Sequence, residues 1–273
     1  VRLLGVDFTS APSARKPIVV AHGRRAGAVV RLEGLDELAS LPAFEVMLAT
    51  PGPWFGAFDL PFGLPRAFVD SLALGENAAA VIEAVHARCA TRMDFRALVD
   101  TWGNARPAGR RLVHRATDTA LAGTSSSSPL QTRYVPVGFM YYEGFARLVR
   151  AGVHIPRLVP GDPARVAVEA YPGALAHALV GRRSYKNGAD AERLIARKEI
   201  VERLEQARTP LGLRLKLSTA LHEALVADAA GDRLDAVLAL MQAAWAELRP
   251  DHGLPPEVDP VEGWIVGAGA GGG

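Results

Sequence analysis

Leu3-Leu4-Gly5-Val6-Asp7-Phe8-Thr9-Ser10-Ala11-Pro12 is the stretch around which the rest of the chain is organised. An apolar run leads into one carboxylate, then two hydroxyls, then a proline that ends the run. This pattern predicts a buried strand that delivers Asp7 to its C-terminal edge. An unpaired carboxylate is costly in such a place. Asp7 therefore either caps the following turn with Thr9 and Ser10 or holds a cation. For an aspartate taken alone, the cap is the simpler account.

Downstream, β-branched runs at 18–22 and 28–32 flank Gly23-Arg24-Arg25-Ala26-Gly27, a hairpin turn. With the opening strand they predict a three-stranded antiparallel meander. Leu35, Leu38 and Leu41 lie three apart and predict the start of a helix, which Pro42 and Pro51-Gly52-Pro53 break. Trp54-Phe55-Gly56-Ala57-Phe58-Asp59-Leu60-Pro61 then repeats the opening design, with Asp59 at the end of an apolar strand. Residues 66 to about 100 read as helical, with Ala78, Val81, Ile82, Val85 and Cys89 on one apolar stripe.

Arg106, Arg110, Arg111, His114 and Arg115 form a basic strip, either a solvated face or a phosphate contact. The serine-rich run 124–129 is expected to be a mobile loop, and 139–152 a helix. Arg165-Val166-Ala167-Val168-Glu169-Ala170-Tyr171-Pro172 is the third strand to end in a carboxylate. A short helix at 174–180 precedes a basic loop, 181–188, that contains Tyr185 and Lys186. An amphipathic helix follows at 189–207, with Leu194, Ile195, Ile200, Val201 and Leu204 as its apolar positions. Ser218 or Thr219 caps the next helix. The last helix, 231–245, is apolar nearly all round and hence buried. Asp232 stands at its cap position, and Asp235 one turn in, where the helix dipole favours an anion.

These elements predict an α/β layered sheet with mixed pairing, flanked by helices. The 273 residues suit a single domain over 1–266 with a helical insertion at about 66–152. The Gly/Ala-rich end, 267–273, is expected to be disordered. A net charge of +2 does not by itself point to nucleic acid. One cysteine excludes a disulfide framework and a cysteine-based zinc site. No apolar run approaches a membrane span and no leader pattern opens the chain, so a cytoplasmic setting is expected.

Asp7, Asp59 and Glu169 each end an apolar strand, and Asp235 opens a buried helix. If the strands are parallel neighbours, their ends share one sheet edge, where ligands bind in α/β proteins. Crowded carboxylates stay ionised only beside a cation, and oxygen ligands of this kind suit Mg²⁺ or Mn²⁺.

Gly5-Val6-Asp7-Phe8-Thr9-Ser10-Ala11-Pro12, Asp59-Leu60-Pro61-Phe62-Gly63-Leu64-Pro65, Arg115-Ala116-Thr117-Asp118, Glu169-Ala170-Tyr171-Pro172 and Ser184-Tyr185-Lys186 recur in one known family. So do the helix start at 232–236 and Glu262-Gly263-Trp264-Ile265. Together they resemble the domain-of-unknown-function 429 family, described as predicted nucleases of ribonuclease H-like fold. The resemblance implies metal ligands at Asp7, at Asp59 or Glu169, and at Asp235, with Asp232 as an extra. Arg115 and Asp118 would frame the site as an ion pair. Lys186, with Arg182 and Arg183, would neutralise phosphates, and Tyr185 would stack a base. Thr9 and Ser10 become candidate phosphate contacts.

The activity expected is metal-dependent phosphodiester hydrolysis on nucleic acid. Two alternatives stay open: a phosphotransferase of the actin and sugar-kinase type, whose first phosphate loop Asp7-Phe8-Thr9-Ser10 resembles, and a binding protein that keeps the fold without catalysis. The sequence does not state an oligomeric form.

Overall fold

The computed structural model describes residues 1–268. Of the expected disordered end, 269–273 lie outside the described residues. Seven strands form one sheet: β1 (Arg2–Asp7), β2 (Ile18–Ala26), β3 (Val29–Leu38), β4 (Trp54–Asp59), β5 (Val153–His154), β6 (Asp162–Glu169) and β7 (Arg214–Lys216). Their order across the sheet is β5-β6-β4-β1-β2-β3-β7. β2 runs antiparallel to both β1 and β3, and the β1–β4, β4–β6, β5–β6 and β3–β7 pairs are parallel. The meander and the parallel strands β4 and β6 are those expected from the sequence, while the short edge strands β5 and β7 were not read there.

The hairpin is tighter than the five-residue turn expected. β2 continues to Ala26 and β3 starts at Val29, with Gly27 at φ 58° in the turn between them. Leu35 and Leu38 belong to β3 rather than to a helix, because strand pairing extends through Leu38. The helix Leu41–Leu48 starts only after Ser40, whose side chain accepts from the Ala43 amide at 3.3 Å. Pro42 sits in its first turn, where a missing N–H costs nothing.

Side-chain alternation along the central strands divides the core in two. Leu3, Phe55, Ala57 and Val168 face the helix Asp232–Glu247. Leu4, Val6, Trp54, Phe58 and Ala167 face the opposite, aromatic-rich layer. The helix lies so close to β1 that a Cβ on Gly5 would meet the Ala236 carbonyl oxygen and the Leu240 nitrogen at 2.1 Å each. Gly5 is therefore needed for its lack of a side chain.

The region between β4 and β5 is mostly helical, but the helix expected over 66–100 is three: Arg66–Ser71, Ala78–Arg88 and Arg92–Asn104. Ala73 and Gly75 take positive φ between the first two, Asn77 caps the second, and a Thr91–Asp94 capping box starts the third. The predicted stripe from Ala78 to Cys89 is buried. The serine-rich loop is pinned: the Ser126 hydroxyl donates to Asp118 at 2.7 Å and that of Ser128 to the Val113 carbonyl at 2.5 Å. Helical structure starts at Val137 and passes through a π-helical turn, Tyr141–Phe145, into Ala146–Arg150.

In the helix Ala191–Glu205 the buried face is Ala196, Arg197, Ile200, Val201 and Leu204, so the expected apolar positions Leu194 and Ile195 lie outside, 41% and 58% exposed. Ser218 caps Thr219–Ala227. Asp232 does not cap the last helix. Gly231 holds that position at φ 84°, while Asp228 accepts from the Arg233 amide at 2.9 Å. No helix among the described residues is long and apolar enough to cross a membrane.

Candidate metal centre

Parallel pairing sets Asp7 directly opposite Asp59 at the C-terminal ends of β1 and β4. Both side chains project toward the face covered by the helix Asp232–Glu247, since they share the alternation of Leu3 and Phe55. Asp235 lies in the first turn of that helix and is fully buried. One carboxylate oxygen from each of the three lies within 4.8 Å of the others.

Asp235 is held firmly. The Tyr185 hydroxyl donates to its Oδ1 at 2.5 Å, and the Lys186 ammonium donates to Oδ2. The loop that supplies these two groups is organised by Arg197, a buried guanidinium that donates to the carbonyls of Tyr185 at 2.8 Å, Gly188 at 3.1 Å and Val226 at 2.8 Å. The Gly188 amide also bonds the Ala229 carbonyl at 3.1 Å, which ties this loop to the start of the last helix. Arg197 was not singled out in the sequence. Its signal was there, because positions 197, 200, 201 and 204 are the i, i+3, i+4, i+7 face of a helix and one of them is arginine.

Electrostatics mark the centre as short of positive charge. Burial pushes the Asp7 carboxyl well above the ordinary range, and the charges of Asp235, Asp59 and Asp232 push it further. Asp59 is raised to about 7, mainly by burial, against the lowering influence of Lys186. Burial also raises Asp235, though Lys186 and Tyr185 counteract it. Lys186 loses by burial but is held charged by Asp235, Asp59 and Asp7. Neither Asp7 nor Asp59 receives a hydrogen bond to its carboxylate among the described residues. A trio of convergent oxygens, two without donors, fits a hard divalent cation.

Glu169 stands outside this trio. It pairs with Phe58, one residue short of Asp59, so its side chain emerges on the other face of the sheet. There it is buried and accepts two bonds from Arg115, at 2.6 and 2.9 Å, and one from the Phe62 amide at 2.9 Å. Burial raises the Glu169 carboxyl, while Arg115 counteracts the rise. Arg115 also bonds Asp118 at 2.8 Å and the Glu262 carbonyl at 3.0 Å. The Arg115–Asp118 pair therefore exists as expected, but both side chains are buried and Arg115 is committed to carboxylates rather than open to phosphate.

The other candidates divide similarly. Asp232 is not in the trio and pairs with Lys16 at 3.2 Å. Tyr185 is 7% exposed and committed to Asp235, so it offers no face for stacking a base. Ser10 is buried, with its carbonyl accepting from Arg92 at 3.2 Å, and Thr9 is half-buried. Arg183 pairs with Glu199 at 2.6 Å. Beside the trio a cavity of about 230 Å³ is bordered by Asp59, Lys186, Tyr171, Ser127 and Met140. Tyr171, at its wall, is a further site residue that strand and helix patterns do not reveal.

A mixed α/β sheet whose strand ends meet a buried helix start over three aspartates defines a protein with a carboxylate-lined centre. Residues 5–259 match the family model described as "Protein of unknown function (DUF429)", and the chain belongs to that family. No curated protein and no solved structure matches the chain significantly.

Proposed function

We propose that this protein is a Mg²⁺- or Mn²⁺-dependent phosphodiesterase acting on nucleic acid, with Asp7, Asp59 and Asp235 as the metal ligands. The observation that carries the proposal is the convergence of these three carboxylates within 4.8 Å, two of them without a hydrogen-bond donor. The antiparallel meander continued by parallel strands supports the ribonuclease H-like fold that the resemblance implies. When bound, divalent ions activate a water and stabilise the leaving oxygen of a phosphodiester.

The chain's own residues prepare that chemistry. β1 and β4 hold Asp7 and Asp59 side by side in a rigid parallel pair. Tyr185 and Lys186 fix the rotamer of Asp235 and leave its helix-borne charge facing the strand ends. Lys186 stays protonated and supplies one positive charge beside the place where a phosphate would sit. The adjoining cavity gives the substrate room next to Asp59 and Lys186.

The test is incubation with single-stranded, duplex and branched DNA and with RNA, in Mn²⁺, using the wild type and Asp7→Asn. Cleavage by the wild type and its loss in Asp7→Asn is the expected result. Equal cleavage by the two proteins, or none on any substrate, overturns the proposal.

A further inference from the structure

Three carboxylates converge at the centre, and one ammonium joins them. Lys186 donates to Asp235 Oδ2, and the charges of Asp59 and Asp7 also act on it. With Asp59 it borders the cavity beside the trio. Of the 31 lysines and arginines in the chain, only four are lysines. Lys16, Lys198 and Lys216 are exposed, so Lys186 is the one drawn inward. An ammonium is a compact point charge, unlike the planar fork of arginine, and so the side-chain cation nearest in form to a metal ion.

The fold fixes where this ammonium goes. The Lys186 stem runs so close to Gly231 that a Cβ there would meet its Cγ at 3.1 Å and its Cβ at 3.3 Å. After Lys186, the Asn187 and Gly188 amides bond the carbonyls of Ala230 and Ala229 at 3.4 and 3.1 Å. Before it, Arg197 holds the Tyr185 carbonyl at 2.8 Å, and the Tyr185 hydroxyl is anchored on Asp235. The backbone on both sides of Lys186 is thus fastened against the start of the last helix, which aims its side chain at Asp235.

A second divalent ion would need carboxylates beyond the trio. Glu169 emerges on the opposite face of the sheet and is bound to Arg115. Asp232 is engaged by Lys16 at 3.2 Å. Both oxygens of Asp235 already accept a donor, one from Tyr185 and one from Lys186. Charge leads to the same count. Three carboxylates and one ammonium leave two negative charges, which one divalent cation cancels. A second ion would reverse the sign of a centre in which Asp235 is fully buried, and uncompensated charge is costly there.

We propose that the Lys186 ammonium stands in for the second ion of a two-metal centre, so that this protein binds one divalent cation and not two. The inference rests on the metal-dependent reading of the trio and adds its stoichiometry. In two-metal sites the ions lie about 3.5–4 Å apart and stabilise the attacking and leaving oxygens of a phosphodiester. Here Lys186 supplies one of those two positive centres from the chain itself.

The full-length chain, stripped of metal with a chelator and dialysed, is titrated with Mn²⁺ by calorimetry with no nucleic acid present. The wild type should bind one ion per chain. Lys186→Met keeps the stem and removes the charge. It should bind two ions, the first about tenfold more tightly than wild type, since a like charge bonded to one of the ligands has gone. Lys186→Arg, which restores the charge, should return to a single ion. If Lys186→Met fails to fold, Lys186→Gln carries the same test. A lysine that only steadied Asp235 would give the opposite sign, because its loss would weaken Mn²⁺ binding. A neutral variant that still binds one ion, or binds it more weakly, overturns the proposal. So does a second ion of comparable affinity in the wild type, a result that needs no variant and leaves the metal reading of the trio intact. No Mn²⁺ bound by the wild type overturns that reading and this inference together.

Discussion

Replacing Asp59 by asparagine should stabilise the metal-free protein while destroying its affinity for divalent cations. The carboxyl of Asp59 is raised from 3.8 to about 7. At about 1.36 kcal/mol for each pH unit, that difference sets a ceiling of about 4 kcal/mol on the cost of carrying the charge in the folded chain. Asp59 is only half-buried, and water screening reduces the expected gain to about 1–2 kcal/mol. For a chain of this size that is about 2–8 °C in Tm. The sign follows from proton binding. Between about pH 4 and pH 7 the folded state holds the Asp59 proton and the unfolded state has released it, so this group's contribution to stability falls as pH rises through the window. Asparagine carries no such penalty. Thermal unfolding in a chelator, from pH 4.5 to 8.5, should therefore show no difference at the acid end and a growing advantage for Asp59→Asn that levels off above pH 7.5. Mn²⁺ should reverse the order, because only the wild type gains from ligand binding. A variant less stable than wild type at pH 8 in chelator would refute the idea that the trio stores unfavourable charge.

Arg115→Met should cost about 3–5 kcal/mol, read as a loss of Tm, because it strands the buried carboxylates of Glu169 and Asp118. The deficit should shrink as the pH falls, because the Glu169 carboxyl, already raised by burial, takes up its proton and no longer strands a charge. Glu169→Gln should lower the Tm and weaken Mn²⁺ affinity measured by calorimetry far less than Asp7→Asn does, which separates a supporting from a ligating role. Gly5→Ala should destabilise by about 1–3 kcal/mol or more in denaturant titrations, since its Cβ would overlap the backbone of the last helix, and Mn²⁺ affinity should fall with it as Asp235 is displaced.

Strands with a continuous apolar run and a terminal carboxylate were legible in the sequence, and β1, β4 and β6 lie where those runs predicted. The buried character of the last helix was legible too, because its apolar residues occupy every face. Helix breaks were not, as at Ala73, where a residue with no special preference takes a positive φ under tertiary constraint. Nor was the burial of Arg115, since a cluster of arginines looks the same whether it faces water or, as here, a nearby aspartate and a glutamate far away in the chain. The loop carrying Tyr185 and Lys186 read as a phosphate-binding surface. Which way each basic side chain turns was not legible: Lys186 reaches Asp235 in the interior, while Arg183 pairs with Glu199 on the outside.

The placement of Glu169 shows why strand-end carboxylates cannot be counted as equivalents. A strand's composition tells where it stops, but its register against the neighbour decides which face the last side chain takes. Asp7 and Asp59 are in register, and Glu169 is one residue short of them. That single step turns it away from the helix that carries Asp235 and toward Arg115. In that position it does a different job. Through the Phe62 amide it holds the loop that follows Asp59, and through Arg115 it joins that loop to Asp118, Ser126 and the Glu262 carbonyl. Its contribution to the centre is therefore the rigidity of the chain around Asp59, which a pair of half-buried aspartates without hydrogen-bond donors of their own cannot supply.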